Sequence, residues 1–216
     1  MRIRLWQTRH IHLAALSTCL CCGLIGAQPK LRITEPKPDT VVGAGQTITV
    51  TVEAAPPEVF HSVAIIGEPF GISDSHPVPP YTFPVNIPAR TRPGRYSLTP
   101  DGITEPHQKV DAKSVNIQVE HLGAPLALKT DESLLAFREA GAVISLSPVA
   151  RFADAERVDV GSSSYTEYVS DDLKVATVSS DGWVTAVRPG ATKITIRYKG
   201  LSTAVPVTVG RAPGGR

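Results

Sequence analysis

The stretch Tyr165-Thr-Glu-Tyr-Val-Ser-Asp-Asp-Leu-Lys-Val-Ala-Thr-Val-Ser-Ser-Asp-Gly-Trp-Val-Thr-Ala-Val-Arg-Pro-Gly-Ala-Thr-Lys-Ile-Thr-Ile-Arg-Tyr198 reads as strand, turn, strand, turn, strand. Val175, Ala176 and Val178 form one apolar run, and Asp181-Gly182 supplies a tight turn into the next run, Val184 to Val187. Pro189-Gly190 then turns the chain into Ile194, Ile196 and Tyr198. Ile194 and Ile196 alternate with Lys193, Thr195 and Arg197, so the aliphatic pair is expected to face a core and the polar set to face solvent. Gly182 and Gly190 are expected to supply backbone conformations that other residues adopt only under strain. Strands with one apolar face must be covered by a second sheet, which predicts a β-sandwich.

The linked turns resemble the pattern of the bacterial immunoglobulin-like group 2 family. Tyr168 and Ser170 stand for its aromatic and serine, and Asp171-Asp172 for its acidic turn. Val175-Ala-Thr-Val178, Asp181-Gly182, Val184-Thr-Ala186 and Pro189-Gly190 followed by Ile194 complete it. The resemblance covers roughly residues 126–209 and is strongest over 168–209. Tyr168 replaces a more usual Trp, Ala155 replaces a Gly in the turn after Phe152, and Trp183 stands where a polar or aliphatic residue is commoner. The resemblance implies an immunoglobulin-like sandwich of the kind found in surface and adhesive proteins, with protein or glycan partners contacted through loops and strand edges rather than a deep pocket.

At the other end, Arg2, Arg4 and Arg9 precede an apolar run from Ile11 to Ile25 that closes in Gly26-Ala27. This predicts a signal peptide over residues 1–27, cleaved after Ala27. The run is shorter than the roughly 20 apolar residues of a bilayer span, so no membrane insertion is expected after cleavage. Cys19, Cys21 and Cys22 all lie within it, and the remaining chain must hold together without disulfides. Leu16-Ser17-Thr18-Cys19 is alternatively a lipoprotein box that would leave a lipid on Cys19; Thr18 and the apolar residues that follow argue against it. Cleavage would leave 19 basic residues against 20 acidic ones. That balance offers no footprint for nucleic acid or for an anionic membrane.

The rest of the chain predicts an all-β protein of two tandem sandwich domains, 28–120 and 126–209, joined by a hinge at 121–125 and followed by a flexible tail at 210–216. Ile48, Val50 and Val52 alternate with threonines, and similar runs recur around Val63, Tyr81, Tyr96 and Val115. Turns are expected at Gly43-Ala44-Gly45, Pro79-Pro80, Arg92-Pro93-Gly94 and Asp101-Gly102.

No residue pattern predicts catalysis, a metal or a cofactor. His61, His76, His107 and His121 stand at no ligand spacing and are expected in loops or on the surface. Ser73-Asp74-Ser75-His76 lies among prolines and reads as a solvated loop. No nucleophile elbow or triad context occurs. Asp131-Glu132 and Asp171-Asp172 are paired acids. Calcium association in some members of the resembled family makes the second pair a candidate loop site, but the cadence of a dedicated calcium loop is missing and turn acids are the expectation.

Trp183 is the candidate binding residue, an aromatic beside a turn that suits a protein or glycan surface, with packing against the sandwich as the alternative. Phe60, Phe70 and Tyr81 carry the same two readings. The function expected is that of an exported, non-enzymatic binding or adhesion module in the periplasm, at the cell surface or outside the cell. A structural spacer or accessory unit of a larger envelope assembly is the alternative. A hydrolase using His61 or His76 is a third reading, for which no constellation meets the geometric requirements.

Overall fold

The computed structural model describes residues 30–56, 60–104, 108–110, 112–155 and 157–210. The signal peptide, the lipid-anchor alternative at Cys19, His107 and the tail after Gly210 lie outside the described residues. All regular elements among the described residues are strands. The first ten are β1 Leu31–Glu35, β2 Val41–Gly43, β3 Thr47–Ala54, β4 Phe60–Gly67, β5 Gly71–Ile72, β6 Tyr81–Asn86, β7 Gly94–Thr104, β8 Gln108–Lys109, β9 Ala112–Lys113 and β10 Val115–Glu120. The next ten are β11 Ala127–Thr130, β12 Leu135–Phe137, β13 Val143–Ser145, β14 Pro148–Arg151, β15 Val158–Asp159, β16 Thr166–Ser170, β17 Ala176–Val178, β18 Trp183–Ala186, β19 Gly190–Tyr198 and β20 Leu201–Val209.

The first ten strands make two sheets, ordered β6-β3-β1-β9 and β2-β10-β7-β4-β5, with β8 pairing on β7. Leu31, Val50 and Phe83 from the first sheet meet Val63, Leu98 and Ile117 from the second in one buried cluster. Period-two alternation explains it: in β3, Val50 and Val52 are buried while the threonines beside them are exposed or half-buried. Each such aliphatic side chain contributes about 1.5–3 kcal/mol when fully buried, which is what holds a sandwich without disulfides.

The expected turn at Asp101-Gly102 is instead the middle of β7, where Asp101 pairs with Ala64 and Gly102 with Val63. Gly102 is needed for close packing, since a Cβ there would lie 2.4 Å from Leu31 Cδ1 and 2.9 Å from Phe60. Phe60 and Tyr81 are core residues in edge-to-face contact, and Phe70 packs on Tyr96.

In the second half, the sheet β12-β20-β19-β16 faces β13-β18-β17, and β11-β14-β15 completes the layer. Ile194, Ile196, Val205 and Val207 from one side meet Ala176, Val184 and Ala186 from the other. Lys193 and Arg197 are exposed and Thr195 is half-buried, the alternation expected of this strand. Tyr198 pairs with Leu201 across Lys199 and Gly200, both at positive φ (43° and 85°), the geometry of a two-residue hairpin turn. A smaller cluster of Ala150, Phe152, Val160 and Tyr198 caps the end of this sandwich.

Candidate functional site

Trp183 opens β18 immediately after the Asp181-Gly182 turn. Its N–H donates to Ser179 Oγ at 3.1 Å, and its carbonyl accepts from Ser179 N at 3.0 Å, closing the hairpin. The side chain is 53% exposed and points away from the core that takes Val184 and Ala186. Thr185 lies on the same face. Val143 is registered opposite Thr185 and Ser145 opposite Trp183, with Thr177 flanking from the other side. Val143 is 49% and Val187 44% exposed, so Trp183, Val143 and Val187 form an apolar stripe on an otherwise hydroxyl-bearing outer face.

Tyr168 fixes this turn from beneath. Its hydroxyl donates to the Gly161 carbonyl at 3.1 Å, and its ring lies where a Cβ on Gly182 would be, 2.9 Å from Cζ. Burial, reinforced by Asp159, Asp181 and Glu132, holds the Tyr168 hydroxyl well above its ordinary pKa and keeps it a neutral donor.

The paired acids are divided among cationic and backbone partners. Asp171 faces Lys193 at 3.2 Å, while Asp172 Oδ1 accepts from Lys174 N at 2.8 Å. Asp131 accepts from both terminal nitrogens of Arg157, at 3.3 and 2.6 Å, and Glu132 accepts from Thr130 and Ser147. The hydrogen bond from Arg157 lowers the Asp131 carboxyl below the ordinary range. No cluster of three metal-ligating side chains occurs among the described residues.

Two histidines lie in loops, as expected, but are half-buried against aromatic rings. His76 bridges to Val63 and lays its ring on Phe83 at 4.8 Å, so Ser73-Asp74-Ser75-His76 is anchored to β4, with Ser73 Oγ accepting from Ile65 N. His121 is stacked on Phe152 with ring centroids 3.8 Å apart. His76 meets an aromatic seven residues on, whereas Phe152 reaches His121 from 31 residues away, a contact no local pattern encodes. His61 is exposed on β4, in keeping with the expectation.

A cleft of about 830 Å³ lies where the two sandwiches meet, lined in part by Arg90, Arg92, His121, Asp154, Arg157 and Asp159. Two of its acids are matched by cations within the chain, Asp131 by Arg157 and Asp159 by Arg92 at 3.5 Å, and His121 Nε2 lies 3.3 Å from Asp154. A second, more apolar groove of about 670 Å³ runs beside Phe60, Pro77, Val78 and Tyr81.

The hairpin β17-β18, the strand pair β19-β20 and Tyr168 of β16 beneath the Asp181-Gly182 turn are the structural content of one family pattern. Residues 151–209 match the bacterial Ig-like domain (group 2). The match to this group 2 domain starts later than the expected 126–209, although β12 pairs with β20 and Leu135 and Phe137 enter the same core. No curated protein matches the sequence. Among solved structures, the Clostridium thermocellum CbhA fibronectin(III)-like modules are 14% identical at a TM-score of 0.38, over 86% of this chain and 97% of that one. The D00-D0 domain of intimin is 10% identical at a TM-score of 0.38, over 82% and 96% of the two chains. Domains 4 and 5 of the S-layer protein SbsC are 18% identical at a TM-score of 0.36, over 58% and 69%. Likeness at this level transfers neither ligand nor assembly to the present chain.

Proposed function

We propose that this is an exported, non-enzymatic binding module of the bacterial envelope or surface, with sandwich domains at 28–120 and 126–209, and that it engages a protein or glycan through the outer face around Trp183. The half-exposed Trp183 on a sheet face with Val143 and Val187 carries this reading, because a rigid aromatic on a flat, hydroxyl-flanked surface is a favourable contact anchor. The strand edges support a face rather than strand addition. The longest edge strand, β6, carries Pro84, and β2, β5, β12, β13 and β17 are only two or three residues long, which leaves the five-residue β16 as the longest edge strand without a proline. The test is binding of the purified chain to protein and glycan panels beside Trp183→Ala. An anchor of about 2 kcal/mol predicts roughly a 30-fold loss of affinity at unchanged fold stability. Equal binding by the variant removes the assignment of the face, and failure to bind any partner removes the adhesive reading.

The spacer reading is favoured by a different observation, the buried polar contacts between the two halves of the chain. It predicts retention by envelope components alone, with Trp183→Ala behaving as the unaltered chain.

A further inference from the structure

The chain entering the expected hinge is held by the second sandwich, while Leu122, Gly123 and Ala124 within the hinge are exposed. Glu120, the last residue of β10, is fully buried. Its Oε1 accepts from Ser164 N at 2.7 Å, Ser164 Oγ at 2.9 Å and Gln118 Nε2 at 2.9 Å, and its Oε2 accepts from Ser163 Oγ at 2.6 Å. Ser163 Oγ itself accepts from Tyr165 N, which directs its own proton to the carboxylate. Three of the four donors therefore come from the second sandwich. The next residue continues the joint: the His121 ring stacks on Phe152, and its carbonyl accepts from Lys199 Nζ at 2.6 Å. Lys199 also lies over the Tyr165 ring at 4.8 Å. Five residues later Leu126 N–H donates to the Arg151 carbonyl, leaving little free chain between the two cores.

We infer that the Glu120 carboxylate and the Ser163-Ser164 turn form a lock that makes the two sandwiches one rigid body. Paired modules joined by a small polar contact ordinarily move relative to one another. Here separation would break three charge-assisted hydrogen bonds together with the His121 stack, and those bonds are directional, so they set orientation as well as proximity. The lock does not depend on what the Trp183 face binds.

The lock is tested by ¹⁵N relaxation of the chain. A single rotational diffusion tensor is expected to describe amides in both sandwiches. Glu120→Leu removes the acceptor and is expected to give the sandwiches separate, shorter tumbling times. Glu120→Gln is expected to keep one tensor, because its amide oxygen can take the three donors at Oε1 while its NH₂ donates to the Ser163 hydroxyl. Independent tumbling in the unaltered chain overturns the inference, as does a folded Glu120→Leu that retains one tensor. Should Glu120→Leu fail to fold, a Ser163→Ala, Ser164→Ala, Lys199→Met triple variant removes both hydroxyl donors to Glu120 and the Lys199 bond and applies the same criterion from the second sandwich without altering the first core.

Discussion

Replacing Gly182 by Ala tests how the second sandwich holds its candidate contact surface. Gly182 has φ of +79°, and an added Cβ would meet Tyr168 Cζ and its hydroxyl oxygen, each at 2.9 Å. Gly200 has φ of +85° in the Lys199-Gly200 hairpin turn, with nothing within 4 Å of an added Cβ. The backbone strain of a left-handed Ala is shared by both sites and costs about 1–2 kcal/mol. The clash with a packed ring belongs to Gly182 alone and adds about 1–3 kcal/mol. Gly182→Ala should therefore destabilise the second sandwich by about 2–5 kcal/mol, and Gly200→Ala by only about 1–2 kcal/mol. Urea unfolding followed by Trp183 fluorescence measures both, with an unchanged m value indicating that the denatured state is not the source of the difference. Equal losses at the two positions would refute the claim that the Tyr168 ring supports the turn.

Tyr198 is fully buried, its hydroxyl makes no hydrogen bond of good geometry, and its pKa is pushed up to about 12, first by burial and then by the charge of Glu120, against the opposing influence of the Ser163 hydroxyl. The unfolded phenol ionises near 10 and the folded one later, so this contribution is complete below pH 10 and is lost as pH rises toward about 12. Tyr198→Phe should flatten the alkaline limb of a stability-against-pH curve and leave neutral stability unchanged or slightly raised; a steeper limb would contradict the reasoning. For Asp131, Arg157→Ala should move the carboxyl titration upward in NMR with little change in unfolding midpoint, since the pair is exposed. An unmoved titration would mean the two-point contact does not persist in solution.

The strands of the second sandwich were legible because their information is local. Asp181-Gly182 and Pro189-Gly190 mark chain reversals, and the alternation around Ile194 and Ile196 states which face is buried. The same kind of reading failed at Asp101-Gly102, where a turn dipeptide lies inside β7. The requirement for glycine there comes from Leu31 and Phe60, which approach from other strands, and no window around Gly102 contains them. Trp183 was visible as an unusual aromatic beside a turn, but its exposure depended on which face of β18 the core claimed. His121 and Glu120 read as the edge of a flexible connection; their partners, Phe152, Ser163 and Ser164, are brought to them only by docking of the two sandwiches.

By itself the sequence determined the all-β architecture and the group 2 pattern, because side-chain alternation and turn chemistry act over a few residues and survive any arrangement of the rest. Tertiary structure alone decided that Gly102 lies within a strand, that Trp183, Val143 and Val187 share an exposed face, and that Glu120 is held by the second sandwich. Each of these depends on side chains brought together from strands far apart in the chain, where steric exclusion and hydrogen-bond direction operate and sequence spacing carries no information.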